Sequence, residues 1–230
     1  AHAIGTMYKG EKIGALSDMT EFSFHPVKTI TTGEGGAITT NSKELYIKLK
    51  MFASHGITRD KDLLLKKDLP GWYYEQQDLG YNYRMTDLQS ALGSSQLKKI
   101  DTFILGRKNI VSKYNQAFAK LDEIVIQKCI KESDTSQHLY IIQLDLEKIT
   151  CDRNDFYDAL RAENIGVNVH YIPIYFHPYY QSLGYKKGLC PNAEYIYERI
   201  ITLPLNPSMT DEDSDLVIEA VTKVLEYYRK

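Results

Sequence analysis

Hydrophobic and polar residues alternate along "MTEFSFH", which puts Phe22 and Phe24 on one face and predicts a strand. "GAITT" (residues 36–40) predicts a second, short strand. Asn41 and Glu44 then stand at capping-box spacing, and the stripe Leu45, Leu49, Phe52 predicts a helix that stops near Gly56. The pattern lapses over residues 58–78, a lysine- and aspartate-rich stretch that includes "LPGWYY" and predicts a surface excursion. It returns in "YNYRMTDLQSALGSSQL", where Thr86 and Gln89 suit a capping box and Leu88, Ala91, Leu92 and Ser95 share a helical face. A longer amphipathic helix is predicted over residues 101–121, with Phe103, Ile110, Tyr114 and Phe118 as its core stripe.

Beyond that helix the pattern changes. "EIVIQ", "HLYIIQLDL" and "VNVHYIPIY" predict strands, and residues 152–163 predict a helix stopped near Gly166. Residues 192–201 and 210–228 predict two closing helices, the last capped by Thr210 with Asp213 three residues on. This mixture predicts a small α+β layer beside an incomplete α/β domain. No internal repeat or low-complexity tract interrupts it.

Composition narrows the class only modestly. The 230 residues suffice for one large or two modest cores, and 43% hydrophobic with 25% charged residues is ordinary for a soluble domain. A formal net charge of -2 gives no global field to draw the chain onto nucleic acid or an anionic membrane. No apolar run approaches a membrane span, and no signal peptide is read at the start, so a cytoplasmic location is expected. Cys129, Cys151 and Cys190 are odd in number and widely spaced, which fits a reducing compartment and offers neither a metal knuckle nor a disulfide framework.

The candidate chemistry lies in "SFHPVKTITTGEGGAI" (residues 23–38). Pro26 restrains the backbone two residues before Lys28, and Gly33, Gly35 and Gly36 permit close approach or positive φ. The hydroxyls of Ser23, Thr29, Thr31 and Thr32 are natural phosphate donors. A strand ending in a turn with one amine and such donors suits an imine-forming lysine. A tight turn carrying a surface lysine fits the same spacing, and the residues alone leave both readings open. The glycine-to-lysine order is not that of a P-loop, and no dinucleotide fingerprint opens a helix here.

"FSFHPVKTITTGEGGAITTN" resembles the cofactor-lysine segment of the DegT/DnrJ/EryC1/StrS sugar aminotransferases. The resemblance continues through "DLGYNYRMTDLQSALGSSQLKKID", "VNVHYIPIYFHPYY" and "ITLPLNPSMTDED", in the family's order and over essentially the whole chain. Within the family, "HPVKTITTGEGG" with "HYIPIYFHPYYQSLGY" most resembles members of the pseudaminic acid pathway. The resemblance implies an α/β, aspartate-aminotransferase-like fold (fold type I of the pyridoxal phosphate enzymes). Residues 1–105 would be the C-terminal part of the large cofactor-binding domain and residues 106–230 the small α+β domain.

It also implies roles. Lys28 stands at the Schiff-base lysine, Ser23 at a serine that binds the phosphate of pyridoxal 5′-phosphate, and His2 beside the cofactor ring. Asn82 matches an asparagine that reaches the neighbouring subunit's cofactor phosphate, which makes a homodimer with shared sites the expected unit. Arg84, Tyr83 and His170 are the substrate-side candidates. For His170 and His177 packing or hydrogen bonding competes with a catalytic role, and His55 ends a helix, where a cation suits the dipole. The implied reaction moves an amino group from glutamate, leaving 2-oxoglutarate, to C4 of a UDP-linked 4-keto-6-deoxy sugar. A regulatory homologue, an inactive fragment and a related sugar dehydratase are the alternatives; dehydratases of the family carry histidine at the lysine position. The family's D-x-A-H-A pattern overlaps "AHA" at residues 1–3, and its aspartate falls before Ala1, so the chain is expected to be the C-terminal portion of a longer enzyme.

Overall fold

In the computed structural model, which describes residues 1–230, the elements run β1 (Met7–Tyr8), β2 (Glu11–Lys12), β3 (Thr20–Ser23), β4 (Gly36–Thr39), α1 (Lys43–Phe52), β5 (Ile57–Thr58), β6 (Glu75–Gln76) and α2 (Asp87–Leu97). They continue with α3 (Ile100–Phe118), β7 (Ile124–Ile126), β8 (Ser133–Asp134), β9 (Tyr140–Leu144), α4 (Arg153–Ala162), α5 (Pro178–Ser182), α6 (Pro191–Tyr197), β10 (Ile200–Leu203) and α7 (Asp211–Tyr228). The chain divides into a first unit, Ala1–Ile100 with Glu132–Thr135, and a second, Asp101–Lys131 with Ser136–Lys230. No helix is long and apolar enough to cross a membrane.

The first unit is built from short antiparallel pairs. β3 and β4 pair with Ser23 opposite Gly36 and Phe22 opposite Ala37, so the predicted strands form a hairpin with a long connection. β1 pairs with β2 and with β8, which is how residues 132–135 return to this unit. Ser42, rather than Asn41, caps α1: its side chain accepts from the Leu45 N–H, while Asn41 bonds back to the Ala15 carbonyl. The α1 stripe is present but shallow, with Leu45 and Leu49 half-buried and Phe52 exposed. Thr86 and Gln89 do form a reciprocal capping box on α2.

The excursion at residues 58–78 is pinned by one carboxylate. Glu75 accepts from the backbone N–H groups of Leu65 (2.8 Å) and Lys66 (2.9 Å), and from the Gln77 amide and Tyr73 hydroxyl. The Leu65 and Lys66 bonds are the largest cause of its pKa falling to about 2.

The second unit holds the main core. β9 lies between β7 and β10 in an antiparallel sheet, with Ile142 opposite Ile201 and Leu144 opposite Ile124. Tyr114 and Phe118 of α3, Phe156 and Leu160 of α4, and Val221 and Leu225 of α7 join Ile142, Leu144 and Ile201 in one fully buried cluster. Period-3.6 stripes on the helices and a buried strand face on the sheet meet there, as the sequence pattern requires. Thr210 and Asp213 form the expected capping box on α7, and Asp152 caps α4 with Asp155 as its reciprocal partner.

Beyond the cap of α1, three expectations change. α3 ends at Phe118, three residues early, although its buried face is the predicted one with Ile104 replacing the half-buried Phe103. Ile200 and Ile201 leave the predicted helix, which stops at Tyr197, and enter β10, whose four residues are all buried. "VNVHYIPIY" is not a strand. Only Asn168 bridges, to Thr202; then Pro173, which has no N–H to donate, opens a 3-10 turn at Ile174–Phe176.

Replacing Phe156 by alanine removes a fully buried ring and should lower the unfolding free energy by about 3–5 kcal/mol. Tyr227→Ala, at a mostly exposed side chain, should change it by less than about 0.5 kcal/mol; urea denaturation of both variants checks the contrast. Glu75, with its depressed pKa, stabilises the fold fully above the unfolded glutamate value of about 4.3 and loses that contribution as pH falls towards about 2. The stability gap between wild type and Glu75→Gln should therefore be largest near neutrality and close on acidification, as read from denaturation at each pH.

Candidate functional site

The β3–β4 connection is the "HPVKTITTGEG" segment, and it folds back on itself. Pro26 occupies the second position of a turn in which the Lys28 N–H donates to the His25 carbonyl at 3.0 Å. The Thr32 N–H and the Thr31 hydroxyl both donate to the Phe24 carbonyl at 3.0 Å, and the Phe24 N–H donates to the Gly35 carbonyl at 2.9 Å. Ile30 is buried as the plug of this loop, between buried Thr29 and the partly buried Thr31. Gly35 is required by space and by backbone: its φ is +149°, and a Cβ there would meet the Thr32 hydroxyl oxygen at 2.5 Å.

Lys28 is partly buried on this loop, and its Nζ lies 2.9 Å from Nε2 of His2. Two of the cofactor-side candidates, 26 residues apart, are thus in direct contact. Ser23, half-buried at the end of β3, accepts only a long bond (3.4 Å) from the His25 N–H. The Thr29 hydroxyl is buried and has no hydrogen-bond partner. An amine, an imidazole and the Ser23 hydroxyl, whose proton is uncommitted, form a set suited to a phosphorylated aldehyde.

The second cluster is "YNYR". Residues 81–83 run against the end of α1: the Tyr81 N–H donates to the Phe52 carbonyl (2.7 Å), the Tyr83 N–H to the Ala53 carbonyl (3.0 Å) and the His55 N–H to the Tyr81 carbonyl (2.8 Å). The Tyr81 and Tyr83 rings stack with centroids 4.9 Å apart and planes at 8°. Arg84 donates from Nε to Asn82 Oδ1 at 3.0 Å and from Nη2 to His55 Nε2 at 3.4 Å. The two clusters are tied together within the first unit, because Gln89 of the α2 capping box donates to the Glu34 carbonyl at 3.0 Å and Met85 packs on Gly35.

His170 belongs to the second unit, where its Nδ1 is 2.9 Å from the Thr202 hydroxyl and its ring meets Tyr171 edge-on. His177 precedes α5 without a side-chain cap bond. A groove of about 770 Å³ in the first unit runs over Phe22, Ile38, Leu49, Phe52, Tyr81 and Tyr83, and neither Lys28, Ser23 nor His2 lines it. Sequence reasoning left out the Arg84–His55 contact, since nothing periodic links residues 29 positions apart.

Comparison with known proteins follows the same segments. The model of the DegT/DnrJ/EryC1/StrS aminotransferase family matches residues 1–222. The UDP-4-amino-4,6-dideoxy-N-acetyl-beta-L-altrosamine transaminase of Campylobacter jejuni is 38% identical over 100% of this chain and 58% of its own length. The structure of Helicobacter pylori PseC, described as an aminotransferase involved in the biosynthesis of pseudoaminic acid, superposes with a TM-score of 0.88 at 34% identity, covering 99% of this chain and 58% of PseC. The PLP form of the sugar aminotransferase Spr1654 from Streptococcus pneumoniae gives 0.86 at 32% identity, over 99% of this chain and 56% of that one. The chain thus spans a little over half the length of the relatives it matches, and their fold is that of sugar aminotransferases. With the family model covering nearly all of the sequence, the chain belongs to the DegT/DnrJ/EryC1/StrS aminotransferase family.

Proposed function

We propose that this chain forms part of a pyridoxal 5′-phosphate-dependent aminotransferase that moves an amino group from glutamate to C4 of a UDP-linked 4-keto-6-deoxy sugar. The observation that carries this reading is the Lys28 amine, held on the β3–β4 turn and 2.9 Å from His2. The names of the Campylobacter and Helicobacter relatives support the sugar class, and the PLP form of the Streptococcus relative supports the cofactor. A homodimer in the cytoplasm is the working unit in this reading.

Lys28 would hold the cofactor covalently through Nζ, and the half-buried Ser23 hydroxyl would donate to its phosphate. When bound, the cofactor supplies an electron sink for the charge left at the donor's Cα. Lys28 Nζ, once free, would be the base that takes the proton from Cα of the amino donor, and in the opposite half-reaction the acid that gives a proton to C4 of the sugar. His2 Nε2 fixes the direction of that amine, and a neutral imidazole there accepts an N–H from it. Asn82 serves the phosphate of the neighbouring subunit's site. Arg84 and Tyr83 meet the substrates, the first as a cation and the second as half of a flat aromatic pair. His170, hydrogen-bonded to Thr202, is the substrate-side candidate of the second unit.

Wild-type protein mixed with pyridoxal 5′-phosphate should develop the visible absorbance of a lysine imine, and Lys28→Ala should not. In an assay with glutamate and the keto sugar the same variant should lose about 10²- to 10⁴-fold in turnover. A variant that keeps both the band and the turnover would remove Lys28 from the chemistry.

A further inference from the structure

We infer that His55 is a positioning residue for Arg84, holding its guanidinium as a receptor for an anionic group (carboxylate or phosphate) of the ligands; this rests on the aminotransferase reading above. Arg84 is exposed, and no carboxylate pairs with it. Its two side-chain partners are neutral acceptors, Asn82 Oδ1 at 3.0 Å and His55 Nε2 at 3.4 Å. A guanidinium can only donate, so Nε2 must be the bare nitrogen of the ring and the imidazole proton sits on Nδ1. Nε and one Nη2 hydrogen are therefore fixed, while both Nη1 hydrogens face no protein acceptor. The cation is oriented without being neutralised, as an anion receptor requires.

The backbone under His55 is built to hold it there. His55 sits at φ 61°, a left-handed conformation uncommon for residues with a side chain. It is locked by its N–H on the Tyr81 carbonyl, by the Gln76 amide on its own carbonyl at 3.1 Å, and by the Ser54–Asn82 bridge. Gly56 and Gly80 cross so closely that a Cβ on Gly56 would come within 1.7 Å of the Asp78 carbonyl oxygen, and one on Gly80 within 2.0 Å of the Gly56 nitrogen. A helix-end histidine could meet the α1 dipole with an ordinary backbone. The left-handed turn and the crossed glycines together bring Nε2 to Arg84.

The test titrates glutarate and, separately, inorganic phosphate into the full chain, followed by NMR. Arg84→Ala and His55→Ala should each weaken at least one probe by about 3- to 10-fold, the scale of a modest hydrogen bond to a charged group. His55→Asn tolerates the left-handed backbone but cannot reach Arg84, so it should show the same loss while staying as stable as wild type. His55→Gln restores an acceptor where Nε2 stood and should bind within about twofold of wild type. The His55→Ala/Arg84→Ala double variant should bind no worse than Arg84→Ala alone. Loss confined to glutarate makes the anion a carboxylate of the amino donor, and loss confined to phosphate makes it a phosphate of cofactor or nucleotide. Unchanged binding of both probes in His55→Ala, an equal loss in His55→Gln, or no saturable binding by wild type overturns the proposal. Formation of the Lys28 imine is read separately on the same samples, so failure of the aminotransferase reading is distinguishable from failure of this one.

Discussion

The contact between Lys28 Nζ and His2 Nε2 depends on a loop that doubles back on itself. The Phe24 carbonyl accepts from both Thr31 and Thr32, Gly35 closes the base, and Ile30 is driven inside. A lysine on an open hairpin would wave its amine in water, where ammonium is fully solvated and makes no lasting contact. Here the backbone has already fixed the base of the side chain, so ordering the amine costs only its own rotamer freedom. The hydroxyls that flank it owe their places to the same fold-back, and so does the tie from Glu34 to α2.

That tie makes one arrangement of two distant motifs. Capping α2 with Thr86 places Gln89 where its amide reaches Glu34, so a local rule of helix starts also sets where "YNYR" lies against the lysine loop. The Gly56–Gly80 crossing does the corresponding work on the other side, bringing the end of α1 against residues 81–83. Each connection is a backbone or amide contact, insensitive to pH and salt, and neither draws on the charge of Lys28 or Arg84.

Much of the fold was legible because its signals are local. The capping boxes at Thr86 and Thr210, the α3 stripe and the alternation in "MTEFSFH" each lie within one element, and the structure keeps them, with Ile104 in place of Phe103 on α3. What failed depends on distant partners. Ile200 and Ile201 fit a helix by period alone, and β9 makes them a strand by offering a buried partner face. "VNVHYIPIY" has strand composition but one Asn168–Thr202 bridge: the Val169 N–H donates to Asn168 Oδ1, and Pro173 opens a 3-10 turn further on. Asn41 and Ser42 are both good caps, and Asn41 is taken up by the Ala15 carbonyl. In the candidate site the types of residue were legible and their pairings were not. His2 with Lys28 and His55 with Arg84 are separated by 26 and 29 residues, and no spacing rule connects them.

The central claim is that one amine in this chain, on Lys28, is built to form an imine with a phosphorylated aldehyde. Borohydride reduction of the protein mixed with pyridoxal 5′-phosphate, followed by peptide mapping, tests it most directly. The account predicts a stable adduct on the peptide containing Lys28, formed ahead of any on the exposed lysines of residues 58–78. An adduct distributed over surface lysines with Lys28 unmodified would contradict it.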